Sequence, residues 1–336
     1  MEQLRSICGG YAACFLVVCL TAFRENQAAQ PDSAVPPAER PAVAAASERG
    51  TKPHGRMEDG TTKAPFNFAN GGRDLIVHPG DKLVFQRVKF DGQVNLGPVW
   101  NFQNDNAAET EVLMEDCHFT AGLSVSTIGK MRVTIGSTRI DGFTSFTPSP
   151  DSLITVSQVS IVAARGGDAA RIGRPCNQGN YPYGHDSRTP VVMRDCLIKT
   201  TGPSNPGDHR DAMQILGGSG ITFTNVVFDL NSGEYSGPAA GQNAALFIED
   251  GTNGSISDID IVDCWMLGSG SYYHLGIQKK DGTNSKNIRL IRPRIARGTT
   301  PLYGTDFHAF QSGLYKVESP VYAEDLSPMP LSDFGL

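Results

Sequence analysis

A Gly-X-Y period is missing from this 336-residue chain despite its 37 glycines and 21 prolines, which excludes a collagen-like triple helix. Long apolar runs are scarce. Residues 7–23 form the one example, too little for a polytopic membrane protein. Basic residues are in the minority, 29 Lys and Arg against 35 Asp and Glu, and the net charge of −6 argues against nucleic acid as a general partner. Beyond residue 65 neither a long amphipathic helical pattern nor a regular leucine spacing is found. With 39% hydrophobic residues the chain is nevertheless too apolar to be disordered throughout. What remains is a glycine-rich, β-rich soluble protein.

The apolar run at 7–23 follows Arg5 and ends at Arg24 and Glu25, the layout of a secretory signal; an uncleaved anchor is the alternative. Residues 1–28 are therefore expected as signal peptide or N-terminal anchor, and the protein as secreted, periplasmic or held at the cell envelope. Residues 29–65 are rich in Ala, Pro, Ser and Glu without an apolar period, and read as a disordered linker.

From there an irregular repeat takes over. Residues 221–228 consist of an alternating half, a polar kink at Asn225 and a second alternating half. The same eight-residue shape returns at 112–119, 191–198 and 259–266, with degraded copies at 83–90, 133–140, 154–161 and 288–295. The kinks fall at Arg87, Asp116, Ser137, Gln158, Asp195, Asn225, Asp263 and Arg292. A common strand pair joined by connections of variable length is a solenoid signature. Period-two alternation puts Ile221, Phe223, Val226 and Phe228 inside and Thr222, Thr224 and Val227 outside. Asn and Asp suit a tight bend, and stacked copies can form side-chain ladders. A propeller blade or a sandwich does not explain one recurring octamer. The expected fold is all-β, a single-stranded right-handed parallel β-helix of about eight coils over residues 66–315, with 316–336 as a C-terminal cap or tail. Cys117, Cys196 and Cys264 each follow a kink in coils that are not adjacent, so they read as buried fillers rather than disulfide partners.

In a solenoid, long insertions gather on a functional face. The two longest fall at 162–190 and 229–258; the first carries Arg165, Asp168, Arg171 and Arg174, then Tyr181, Tyr183, His185, Asp186 and Arg188. The most pointed cluster is 208–214. If 211–215 is extended, His209, Asp211 and Met213 share one face and Arg210, Ala212 and Gln214 the other. A His with a carboxylate two residues away can act as an oriented base, and a nearby Arg can neutralise a substrate carboxylate. The bland reading is a His/Asp pair that pins a loop. Between Lys279 and Arg297 stand seven basic residues against one acid, preceded by Tyr272, Tyr273 and His274, which could stack on sugar rings; the strip suits an anionic chain unless acids of neighbouring coils balance it.

The octamers between 83 and 298 resemble the pectate-lyase-like superfamily of right-handed β-helices. His209, Asp211 and Gln214, followed by Tyr303-Gly304, are similar to a His-x-Asp-x-x-Gln segment of bacterial exported β-helix proteins. Polygalacturonases of this fold carry adjacent aspartates and a Gly-His-Gly, whereas this chain has no Asp-Asp and only Gly184-His185-Asp186. Arg292-Pro293-Arg294-Ile295-Ala296-Arg297 resembles the Arg-x-Pro-x-x-Arg strand of pectate lyases with altered spacing. The resemblance implies a carbohydrate-active protein, foremost a polysaccharide lyase acting on a uronate-containing polysaccharide. A glycoside hydrolase of the same fold and a non-catalytic polysaccharide-binding surface protein are the alternatives. The expected catalytic residues are His209, Asp211 and Arg210. Gln214, Tyr273, His274, Lys279 and Arg297 are expected to bind substrate. Asp208 is the candidate ligand for a calcium ion, the one cofactor considered. The expected partner is an anionic polysaccharide, not nucleic acid, and no membrane beyond the N-terminal anchor.

Overall fold

The computed structural model describes residues 55–57, 68–69, 74–98, 109–127, 129–164, 167–173, 190–201, 210–230, 242–249, 255–268, 273–278, 285–297 and 315–334. The signal segment, most of the linker and the 174–189 part of the first insertion lie outside them. The described part is all-β, without an α-helix, and its strands stack into three sheets of ten, nine and nine strands. From Lys82 to Gln278 each coil supplies one strand to each sheet. Val191–Arg194 in the first sheet, Leu197–Thr201 in the third and Arg210–Leu216 in the second form one such coil; Gly218–Thr224, Val227–Leu230 and Gln242–Glu249, in the same order of sheets, form the next. Pairing between coils is parallel in every sheet: Val191 faces Ile221, which faces Ile259, which faces Ile288. The chain is a parallel β-helix.

All eight kink residues have left-handed backbone, with φ between 44° and 56°. That conformation costs an L-residue about 1–2 kcal/mol, least for Asn and Asp. The coil stack offsets the cost, because the kink N–H reaches a carbonyl of the next coil: Asp195 donates to Thr224, Asn225 to Val262 and Asp263 to Ile291, at 2.9–3.0 Å. The side chains form the expected ladder in places, with Asn225 Nδ2 donating to Asp195 Oδ1 at 2.8 Å and Arg292 to both oxygens of Asp263. Ser319 adds a further kink, and Tyr315–Glu318 and Val321–Tyr322 extend the first and third sheets in parallel. At the opposite end Gly55–Met57 pairs antiparallel with Lys82–Gln86 and Phe68–Ala69 with Asp74–Val77, and so they cover edges that would otherwise be open to other strands.

One column inside the stack carries hydrogen bonds that alternation does not reveal. The residue after each kink is buried, and where it is Cys or Thr it donates to the carbonyl two residues earlier. Thr138 Oγ1 reaches Gly136 O at 2.7 Å; Cys117, Cys196 and Cys264 Sγ reach Glu115, Arg194 and Val262 O at 3.1–3.4 Å. The three cysteines are free, and burial pushes their thiols up to about 11, 12 and 12.

Ile221, Phe223, Val226 and Phe228 are fully buried, as the alternation requires. Val227 is a correction. Expected at the surface, it is 3% exposed and belongs with Trp265, Leu267, Ala296 and Ala323 to a second apolar cluster outside the third sheet. The C-terminal residues Ala323 and Leu326 pack there, so a sheet face that would meet water in a bare coil is covered.

Asn225→Val should destabilise the fold by about 2 kcal/mol, from left-handed strain together with loss of the bond to Asp195, whereas Asn225→Gly loses only that bond; urea midpoints compare the two. Alkylation at pH 8 followed by peptide mass spectrometry should leave Cys117, Cys196 and Cys264 unlabelled in the native protein and label all three in denaturant.

Candidate functional site

The second sheet brings together residues that are far apart in the chain. In register, Ala170 faces Met213 and Arg171 faces Gln214. This places the first insertion against the 208–214 cluster. The strand after that, Gln242–Glu249, pairs with a register shift between Arg210 and Asp211, so that Arg210 faces Gln242 but Asp211 faces Ala244. A bulge of this kind re-aims side chains at the sheet's end. Here it leaves Asn243 as the extra residue beside Asp211.

The result is a closed polar network. Asp211 Oδ1 accepts from Ala244 N at 2.7 Å and Asn243 Nδ2 at 3.0 Å, and its Oδ2 accepts from Gln214 Nε2 at 2.6 Å. Gln214 Oε1 in turn accepts from Arg171 Nε at 3.1 Å, which fixes which end of the amide faces the carboxylate. Arg171 Nη2 donates to Asp168 Oδ2 at 3.0 Å, and Asp168 Oδ1 accepts from the Asp211 N–H at 3.1 Å. The Arg171 guanidinium also lies 5.6 Å above the Phe143 ring. Asp211 is fully buried; Arg171 keeps 28% of its side chain exposed and Gln214 is half-buried. Burial, reinforced by the negative charge of Asp168, pushes the Asp211 carboxyl up to about 7, although the donors from Gln214, Ala244 and Asn243 pull the other way.

Of the residues expected to act, Asp211 and Gln214 meet here. Arg210 heads the same strand but is fully buried, and the arginine with an exposed edge is Arg171. His274 lies on Tyr273–Gln278, the strand beyond Gln242–Glu249, and is 3% exposed; Tyr273 is in register with Ala244. Asp208, His209 and Lys279 lie outside the described residues. Arg297 is elsewhere, past the third sheet, where Nη2 bonds Asp325 and Ser327 at 2.9 Å and the guanidinium stacks 3.6 Å from the Tyr322 ring. The other arginines of the basic run are met from neighbouring coils: Arg289 forks onto Asp260 and Arg292 onto Asp263, while Arg294 covers Trp265 at 4.6 Å. Among the described residues the four arginines of this run are paired with acids rather than forming an open cationic strip, while Lys286 is exposed.

Asn243 was not a candidate from the sequence, and Asp168 and Arg171 entered only as part of an insertion. Their signal was the insertion itself; the register that joins them to Asp211 is invisible without the coil stack. A His–Asp pair also exists at residues the sequence does not single out. His118 Nε2 lies 2.7 Å from Asp141 Oδ2 on the third sheet, and Arg139 Nε donates to Asp141 Oδ1 at 2.8 Å. Burial would raise Asp141, but hydrogen bonds from Arg139 and His118 outweigh it and hold the carboxyl below the usual range.

Calcium does not fit the network. Both oxygens of Asp211 face N–H donors, whereas a hard cation needs six to eight oxygen ligands. Among the described residues no group of three His, Cys, Asp or Glu side chains is placed to hold a metal ion. The arrangement suits anions instead, with one partly exposed guanidinium and one oriented amide beside a carboxyl that holds its proton up to near-neutral pH. The chain matches no protein-family model, no curated protein and no solved structure. The parallel β-helix therefore rests on its own strand pairing.

Asp211 has a raised folded-state carboxyl, so it favours folding below its unfolded range, near 3.8, and that contribution falls away as pH rises towards about 7. Stability of the parent minus that of Asp211→Asn should decline from about pH 4 to about pH 7 and then level off; urea midpoints measured across that range check the slope.

Proposed function

We propose that this chain is an exported, carbohydrate-active member of the right-handed, pectate-lyase-like β-helices that cleaves a uronate-containing polysaccharide by β-elimination. The observation that carries the reading is the half-exposed Arg171, held by Asp168 and Gln214 over Phe143 beside the buried acid Asp211. A guanidinium fixed on three sides offers its remaining edge to a carboxylate, and Arg geometry suits that pairing. In elimination a base takes the proton next to the sugar carboxylate, negative charge spreads onto that carboxylate, and the glycosidic oxygen leaves from the neighbouring carbon and takes up a proton. Arg171 and the Gln214 amide would stabilise the developing charge. Asp211, too deeply buried to touch substrate, keeps Gln214 aimed and limits the negative charge around the site while it holds its proton. His209, two residues before Asp211 in the chain, is the base in this scheme.

The neighbouring carboxyls favour a second reading. Burial, with the charge of Asp168 added, pushes the Asp211 carboxyl up, and a raised carboxyl beside a second acid is what a glycoside hydrolase requires. The complete burial of Asp211 weighs against direct proton transfer to a glycosidic oxygen.

Pectate, alginate and glycosaminoglycan panels, with and without calcium, should yield an unsaturated product that absorbs in the ultraviolet, and Arg171→Ala should lower kcat/KM by about 100-fold. New reducing ends without that absorbance would replace the lyase by the hydrolase, and no product from any panel would overturn both.

A further inference from the structure

The outer side of the second sheet changes character along its length. Asn95, Ser124, Ser145 and Arg171 occupy successive coils in one column that leads to Gln214. All five are partly exposed. At about 4.8 Å per coil the column from Asn95 to Gln214 measures about 19 Å, long enough for several sugars in a row. The next position is Phe247, flanked along its strand by the core residues Leu246 and Ile248 but not itself part of the core cluster. Phe247 is only 8% exposed, and its ring is pressed against the coil beyond, where Gly276 stands. A Cβ at Gly276 would meet Phe247 Cδ2 at 2.7 Å, so this glycine is the one residue type that lets the ring lie there. Ala245 and His274, beside them on the same two strands, are buried as well. The accessible column thus stops one coil past Gln214, at an aromatic ring.

We propose that Phe247 is an end wall of the Arg171–Gln214 site, so that the protein recognises the terminal unit of an anionic glycan chain rather than an internal one. The inference rests on the carbohydrate reading above and adds the part of the substrate that is read. A chain that approaches from the Asn95 side reaches Gln214 with nowhere to continue. An internal sugar at Gln214 would need its next glycosidic bond to pass through the Phe247 ring, whereas a terminal sugar presents a hydroxyl there. Degradation would then release product of one length while the polymer shortens slowly from an end.

The test measures binding by calorimetry, using the full chain with oligogalacturonate, oligoalginate and chondroitin oligosaccharides, each untagged, tagged at the reducing end and blocked at the non-reducing end. A bulky group at one terminus should weaken binding to the parent at least tenfold, and a group at the other should have little effect. Phe247→Ala should recover most of the loss. Phe247→Leu, which keeps the apolar cover and guards against misfolding, should recover part of it. End preference without an ultraviolet product would sink the lyase reading and leave the wall in place. Equal binding of both tagged forms, or a parent that releases a ladder of sizes with rapid loss of viscosity, would overturn the end wall and leave the lyase standing. No binding of any oligosaccharide would remove both.

Discussion

One residue per coil in left-handed backbone, bonded through its N–H to the coil above, is the constraint on which this molecule is built. It turns the chain sharply between the first and third sheets without spending extra residues. Because the turn repeats in register from Arg87 to Arg292, the strands on either side stack in parallel whatever the length of the connections elsewhere. In the neighbouring column Cys and Thr add a second donor to a carbonyl that already accepts the kink N–H of the coil before. Fold and thiol chemistry are thus two results of the same bend.

A scaffold of that kind can tolerate insertions, and the candidate site uses one. Asp168 and Arg171 come from the connection after the fourth kink, Asp211 and Gln214 from the coil after the fifth, and Asn243 from a bulge one coil further on. Burying two carboxylates and an arginine is costly unless their bonds are made, because desolvation of each charge must be offset by partners. Here each named acceptor and donor has one, and the carboxyl without a direct cationic partner, Asp211, answers burial by holding its proton to near-neutral pH. The same closure that makes the network stable fixes the direction in which Arg171 and Gln214 present their free edges.

Surface charge shows why spacing along the chain misleads in a solenoid. From Lys279 to Arg297 the sequence looks strongly basic, yet Arg289, Arg292 and Arg297 meet Asp260, Asp263 and Asp325, residues about one coil away in sequence and one strand away in space. Val227 misleads in the same way. Its alternation says outward, and it is outward, but Trp265, Ala296 and the C-terminal residues around Ala323 turn that face into a second apolar layer.

The sequence by itself determined the kinks, the alternation around them, the parallel stack and the unpaired cysteines, because each depends on neighbours within about eight residues or on the simple repetition of them. It also marked Asp211 and Gln214, since their strand is legible locally. Only the tertiary structure decided that Arg171 rather than Arg210 has an exposed edge, that Asp168 and Asn243 complete the network, that a second left-handed column runs through Asp258 and Asn287, and that Phe247 lies across Gly276. Those facts turn on which residue of one coil stands beside which residue of the next. With coil lengths ranging from 21 to 38 residues and a bulge at Arg210, that register is set by strand pairing between coils and is written in no single stretch of chain.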